Sequence, residues 1–359
     1  MKESIVPLLV CPVTGQSLEL TVFERQADEV MEGELRSADG RAYPITRGIP
    51  RLLANPREGE VETTVENFGW QWQHFNYLLE PKLEAVQYLD WVAPLTEKDF
   101  VGKRVLDAGC GMGRWPETVA RFGAAEIFAV DLGSAVEAAF ERLRGLPHVH
   151  VIQGDILNLP FRKGAESPFD LAYSLGVIHH MPNARDGFHA YSRHVKPGGT
   201  VHAWVYGAQN NQWITDFVDP IRMKVTSRLA PPVLYQLSKA LTVPLHLASR
   251  GVHAAGLKDT FAYGEYLDWL GRFPFIHTHH IVHDHLTPSL ASYHSRAEVE
   301  EWAESVGLTD VALTERNRNS WRLVGRMPAS AAPATPATQP VEEAPKPVKA
   351  RRPRSQKPN

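Results

Sequence analysis

Asp107, Gly109, Gly111 and Gly113 stand together in the run Val105-Leu106-Asp107-Ala108-Gly109-Cys110-Gly111-Met112-Gly113-Arg114. An apolar stretch that enters a carboxylate and then three alternate glycines predicts a buried strand ending in a turn. Such a turn lets the backbone pass very close to a ligand, because each missing Cβ removes an obstacle. A second apolar run, Glu126 to Asp131, ends in another acid about twenty residues downstream. At that distance a doubly wound sheet presents a carboxylate to a ribose, and two acceptor oxygens suit a diol. His179 and His180 follow a third apolar run, Phe169 to Val177. Imidazole titrates in the range a general base requires, so His180, with His179 beside it, is a candidate base or acceptor contact. Tyr206, at the end of the run Val201 to Val205, is the next candidate.

The elements that position these groups follow from periodicity and punctuation. Val149 to Ile152 reads as a strand before Gly154-Asp155-Ile156. Lys196-Pro197-Gly198-Gly199 marks a turn before the strand ending at Tyr206. Strands alternating with helical stretches predict an α/β fold with a doubly wound parallel sheet. Lys82 to Trp91 reads as a helix, Ser295 and Glu298 form a capping-box pattern, and Val311–Leu313 with Trp321–Gly325 reads as a closing antiparallel hairpin.

The four ordered motifs over roughly residues 100–206 resemble those of class I S-adenosylmethionine methyltransferases of the type 11-like group. Asp-x-Gly-x-Gly-x-Gly is similar to that family's first motif and differs from the dinucleotide pattern Gly-x-Gly-x-x-Gly. The resemblance implies a Rossmann-like, seven-stranded sheet. It implies S-adenosylmethionine as cofactor, leaving as S-adenosylhomocysteine, held by Asp107, Gly109, Gly111, Gly113, Asp131, Leu132, Asp155, Ile156 and Ser174. Asp131 would hold the ribose hydroxyls, and Asp155 and Ile156 would bracket the adenine. The implied activity is methyl transfer, with O-methylation favoured, and His180, His179 and Tyr206 are the candidate catalytic residues. RNA base methylation and a non-catalytic scaffold of the same fold are the alternatives.

Residues 1–55 read as a small β-rich unit similar to the zinc-ribbon-like domain that accompanies several methyltransferases. The ribbon's paired cysteines are missing: Cys11 precedes Thr14, and no second pair follows. One thiolate does not make a four-ligand zinc site, so a metal-free relic of that fold is expected. Residues 56–100 form an aromatic linker and helix. Asn67-Phe68-Gly69-Trp70-Gln71-Trp72-Gln73-His74-Phe75 suits either a flap over the cofactor or the packing of the junction. Residues 101–327 make up the methyltransferase domain. Its insertion, 207–286, beginning Gln209 to Ile214, reads as proline-broken helices forming a lid over the acceptor. The amphipathic run Val233 to Leu241 within it suits a core-facing helix better than a membrane-surface patch. His277 to His285 reads as a strand-like loop lining the acceptor pocket, with His283, Asp284 or His285 as polar contacts. Strand alternation would put His279, Ile281 and His283 on one side, and Ile281 interrupts that set, so no metal site is expected. Residues 328–359, Ala/Pro/Thr-rich and then basic, are expected to be a disordered tail.

The 359 residues carry 38 Lys and Arg against 41 Asp and Glu, a net charge of −3. Without a basic field a nucleic-acid acceptor is disfavoured. A small molecule, or an exposed hydroxyl of a saccharide or lipid, is expected instead. Two cysteines give no framework of bridges. The first residues lack the layout of a signal peptide and no apolar run is long enough to span a bilayer, so a cytoplasmic location is the expectation.

Overall fold

The structure, a computed structural model, describes residues 1–329 apart from 55–58, 76, 78, 213, 261, 262 and 289. The expectations for Trp213, and for the tail from residue 330 onward, lie outside the described residues.

Four strands open the chain: β1 (Leu18–Gln26), β2 (Glu29–Ser37), β3 (Ala42–Thr46) and β4 (Ile49–Leu52). They form an antiparallel meander. Before them run a 3-10 helix, Glu3–Leu8, and isolated bridges at Lys2, Leu9 and Val10. Helices α1 (Gly59–His74) and α2 (Pro81–Val92) follow. The central elements then alternate: β5 (Arg104–Ala108), α3 (Arg114–Arg121), β6 (Glu126–Asp131), α4 (Ala135–Leu143), β7 (Val149–Gly154), β8 (Phe169–Leu175), α5 (Ala184–Ser192) and β9 (Val195–Tyr206). The Pro-Gly-Gly segment lies within β9, where the register against β8 jumps from Phe169↔Val195 to Leu171↔Thr200. Next come α6 (Asp219–Lys224), α7 (Pro231–Ala255), α8 (Gly264–Leu270), α9 (Phe275–Leu286) and α10 (Arg296–Val306), then the hairpin β10 (Thr309–Arg316) and β11 (Ser320–Arg326).

The described strands make one sheet in the order β1-β2-β3-β4-β7-β6-β5-β8-β9-β11-β10. Strands β4 through β9 pair in parallel, and β11 joins antiparallel to β9. Seven of these strands, β5–β11, lie within residues 101–327, and the N-terminal meander adds four more to the same sheet. The N-terminal meander extends the sheet through the two-residue pairing Arg51↔Gln153 and Leu52↔Gly154. It also shares a core: Ile5, Leu9, Val30 and Leu35 belong to the same buried cluster as Phe128, Phe161 and Phe169. A fifty-residue meander has too little interior to bury its own apolar face, and the larger sheet supplies the missing surface.

The chain leaves β5 toward β6 and β7 on one side and returns to β8 and β9 on the other. The crevice at the carboxyl ends of β5 and β8 is therefore the topological switch point, the place where open parallel sheets bind ligands. Both the glycine turn and the histidine pair sit there.

Candidate functional site

Loop 109–113 is built to expose its backbone. Gly109, Gly111 and Gly113 all have positive φ, at 100°, 51° and 80°. The amides of Gly109 and Cys110 donate to the Val130 carbonyl (2.8 and 3.0 Å), and the Gly111 amide donates to Asp131 Oδ2 (2.9 Å). Strand β6 thus clamps the turn from beside it. A Cβ on Gly109 would stand 2.5 Å from Val177, one on Gly111 3.1 Å from the Trp72 indole, and one on Gly113 2.7 Å from Leu143. The first two glycines admit neighbours at the crevice, whereas the third admits helix α4.

Beside this loop lies a cavity of about 950 Å³. Its floor includes residues 109–112, and its lining includes Asp131, Leu132, Asp155 and Ile156. Asp131 Oδ1 accepts from the Gly133 amide (2.9 Å). Asp155 caps the turn 156–158, accepting from the Leu157 amide (2.9 Å) and the Asn158 side chain (3.1 Å). The opposite wall carries His180 and Tyr206. His180 Nδ1 lies 2.8 Å from the Leu290 carbonyl, and burial pushes its pKa down to about 4. The Tyr206 ring packs parallel to His285 and Tyr293, with centroids 5.7 and 5.6 Å away, and burial holds its hydroxyl protonated well above the usual range.

Four of the expected residues do not line the cavity. Asp107 is buried; its Oδ2 accepts from Tyr173 (3.0 Å), while Oδ1 has no partner among the described residues. Burial raises its pKa well above the carboxylate range. Ser174 donates to the Ala108 carbonyl (2.7 Å) and ties β8 to β5. Gly113 faces α4. His179 is fully buried, stacked on Tyr206 at 3.9 Å, and burial drives its pKa far down. The 3-10 turn Ile178–His180 explains that split, because adjacent residues on such a turn point about 120° apart.

The aromatic linker divides between its two expected roles. Phe68 and Trp72 line the cavity. Trp70 stacks on His74 and His283, and Phe75 packs among Tyr235, His279 and His280. Gly69 makes the approach possible, since a Cβ there would meet Ser134 Oγ at 2.3 Å.

The strand-like reading of His277 to His285 is corrected: the segment is helix α9. The histidines recur at helical spacing, which strand alternation cannot satisfy. His277, His280 and Asp284 lie at i, i+3 and i+7, and all three line the cavity. His279 and His283 face away, toward Ser238 and Gln71 respectively (2.9 and 3.1 Å). Asp284 accepts from Gln71 (3.0 Å), and burial raises its pKa to about 6. Arg114 was also missed. It lies at the cavity edge immediately after the glycine turn, where its guanidinium donates to Gln87 Oε1 (3.1 Å) rather than to a carboxylate. Its signal was its place at the start of α3.

Comparison with known proteins places this geometry. Residues 105–199 match the family model described as a methyltransferase domain. The chain is 27% identical over 203 residues to a ubiquinone biosynthesis O-methyltransferase of Erwinia tasmaniensis, covering 56% of this chain and 72% of the relative. It is 37% identical over 114 residues to one from Alkalilimnicola ehrlichii, covering 32% of this chain and 45% of that relative. With several further relatives the chain spans about half of their length. A solved structure of an S-adenosylmethionine-dependent methyltransferase from Mesorhizobium loti is 25% identical over 34% of this chain and 54% of its own, with a TM-score of 0.30. Residues 105–199 thus match a methyltransferase domain, with the glycine turn, Asp131, Asp155 and His180 all inside the matched segment.

Proposed function

We propose that the protein transfers the methyl group of S-adenosylmethionine to an oxygen of a small acceptor, with phenolic, saccharide and lipid hydroxyls as the candidate classes. The observation that carries this reading is the single cavity with the glycine turn, Asp131 and Asp155 on one wall and His180 and Tyr206 on the other. Its volume is large enough for a nucleoside-sized cofactor and an acceptor side by side. The residues fit the cofactor. Asp131 would take the ribose diol, Ile156 and Leu132 the adenine faces, and Asp155 the adenine amino group. Arg114, at the cavity edge after the glycine turn, would face the carboxylate of the methionyl part. When bound, the cofactor supplies an electrophilic methyl on a sulfonium.

The chain's own contribution is alignment and a hydrogen-bond acceptor. In-line displacement needs the two reacting atoms held close, and a cavity lined by both sets of residues supplies that. The Leu290 carbonyl fixes the proton of His180 on Nδ1, so Nε2 keeps its lone pair for the acceptor hydroxyl. With a pKa near 4 the ring is neutral at physiological pH and only a weak base, so Nε2 serves chiefly to accept a hydrogen bond from the acceptor hydroxyl. Asp284, with a pKa near 6, is a second group on the same wall that titrates near the working range. Phe68 and Trp72 line the cavity and would shield the cofactor from water. The ubiquinone biosynthesis O-methyltransferases among the relatives support the choice of oxygen. The N-terminal meander is taken as a metal-free relic of a zinc-ribbon-like unit, with the Cys11 thiol hydrogen-bonded to Tyr43 (3.1 Å).

Calorimetric titration with S-adenosylhomocysteine, followed by transfer of labelled methyl to a panel of catechols, glycosides and hydroxylated amphiphiles, tests this. Micromolar binding and product on an oxygen acceptor are expected. Binding of neither cofactor form, or product on nitrogen alone, would overturn it.

A further inference from the structure

The polarity of helix α7 is inverted. Its inward stripe is Leu234, Ser238, Thr242, Ser249 and Val252, all buried, with the three hydroxyls bonding to Tyr235, Ser238 and Leu245 carbonyls or to His279. Its outward stripe is Val233, Leu237, Leu241 and Leu247, with exposures of 39–67%. The spacings of four, four and six residues keep that stripe on one face. A helix packed only for water places its leucines inward and its serines outward. The apolar surface continues through the preceding segment, where Phe217, Ile221, Met223 and Val225 are all more than half exposed. An exposed apolar run of this extent signals a non-aqueous neighbour.

From Pro220 to Lys258 the charge is one-sided, with the exposed Asp216 beside Phe217 at the start of the apolar run and Asp259 just past its end. Between Pro220 and Lys258 there is no Asp or Glu, while Arg222, Lys224, Arg228, Lys239, Arg250 and Lys258 are all basic. All but Arg222 are exposed. This lies in a chain whose net charge is −3. On the helical wheel Lys239 and Arg250 lie outside the apolar stripe, about 140° and 120° from its centre. An apolar face backed by basic residues is the pattern of a helix lying in the headgroup region of an anionic bilayer. A protein partner would need no such exclusion of acids. No described helix is long and apolar enough to cross a membrane, so the mode is peripheral.

The stripe also meets the cavity. Leu241 and Leu245 of α7, with Ile214 and Val218 before α6, belong to the cavity lining, and Leu241 is at the same time 49% exposed. We propose that the α6–α7 face seats the protein on an anionic lipid surface, and that the cavity opens onto that surface to admit an amphiphilic acceptor. The second half of this statement rests on the methyltransferase reading above; the docking does not.

Flotation of the full chain with phosphatidylcholine vesicles, with and without phosphatidylglycerol, tests it. Binding is expected only with the anionic lipid, weakening with salt. The double variant L237E/L247E, away from the cavity lining, should lose that binding while its circular dichroism and melting temperature stay close to wild type. The charge variant K224Q/R228Q/K239Q leaves the leucines untouched, and its partitioning should fall about five-fold per charge removed. Absence of vesicle binding, or equal binding by both variants, would overturn the proposal. So would a dimer, seen by light scattering without vesicle binding and abolished by L237E/L247E, which would show a second copy covering the stripe. Vesicle binding is read without methyl transfer, so a failed cofactor titration leaves this result standing.

Discussion

The Nδ1 of His180 lies 2.8 Å from the carbonyl oxygen of Leu290, a residue 110 positions away and just beyond the helical insertion. The bond leaves Nε2 as the lone-pair nitrogen and couples the ring's orientation to the segment after α9. If His180 takes the acceptor proton, His180→Ala should lower kcat by roughly 10²–10⁴-fold and leave S-adenosylhomocysteine affinity within a few-fold. Steady-state kinetics and calorimetry on the same variant check this. A drop confined to KM would reassign the ring to acceptor binding.

Asp131 has two duties, holding the Gly111 amide and facing the cavity. Asp131→Ala removes both and should cost at least ten-fold in S-adenosylhomocysteine affinity, about 1.4 kcal/mol or more. Asp131→Asn keeps one acceptor oxygen and should fall between. Unchanged affinity in the alanine variant would remove Asp131 from the cofactor site.

Gly109 stands at φ 100° with Val177 where its Cβ would be. Gly109→Ala combines a strained backbone with a clash and should destabilise the fold by about 1–3 kcal/mol. Val177→Ala in the same chain removes the clash and should restore part of that loss, leaving the backbone component. Thermal melts of the single and double variants separate the two.

Trp72 covers Gly111 and lines the cavity from α1. Trp72→Ala should open the cofactor end to water, raising the dissociation constant for S-adenosylhomocysteine by roughly ten-fold or more at a stability cost of about 3 kcal/mol. Trp70→Ala, on the face packed against His74 and His283, should cost stability with little effect on affinity.

Acid should unfold this protein early. Burial pushes His180, His194 and His285 down to about 4 and His202 to about 3. A depressed pKa means the unfolded chain takes up protons first, so stability present above pH 6.5 is lost as pH falls toward 4. Asp284 runs the other way: its pKa is raised to about 6, so its contribution weakens as pH rises from 4 to 6. Melting temperature should therefore fall steeply between pH 6.5 and 4. Asp284→Asn, which keeps the acceptor for Gln71, should gain roughly 1 kcal/mol over wild type above pH 6 and nothing below pH 4.

Much of this was legible in the chain because it is local. Asp107 with three alternate glycines, and Asp131 at the end of the next apolar run, announce a strand, a close-approach turn and a carboxylate, all within about twenty-five residues. The capping box at Ser295 and Glu298 is likewise local and forms as expected. The histidine run was misread because nine residues with five imidazoles carry no apolar contrast from which to read a period. The helix shows itself only once Phe75 and Tyr235 pack on one side and the cavity lies on the other.

The order of apolar runs, acids and glycines by itself determined the parallel α/β core and the loop that approaches the ligand, because strand ends and positive-φ turns are set by neighbours in the chain. Which groups face the cavity was decided by tertiary structure alone. His180 rather than His179, Asp284 rather than His283, and Phe68 and Trp72 rather than Trp70 depend on the rotation of helical turns against partners 100 to 200 residues away. The outward leucines of α7 belong there too. Val233 to Leu241 has the period of a core helix, and only the packed fold shows that Ser238 is turned inward beside Leu234 while Leu237 and Leu241 stay exposed.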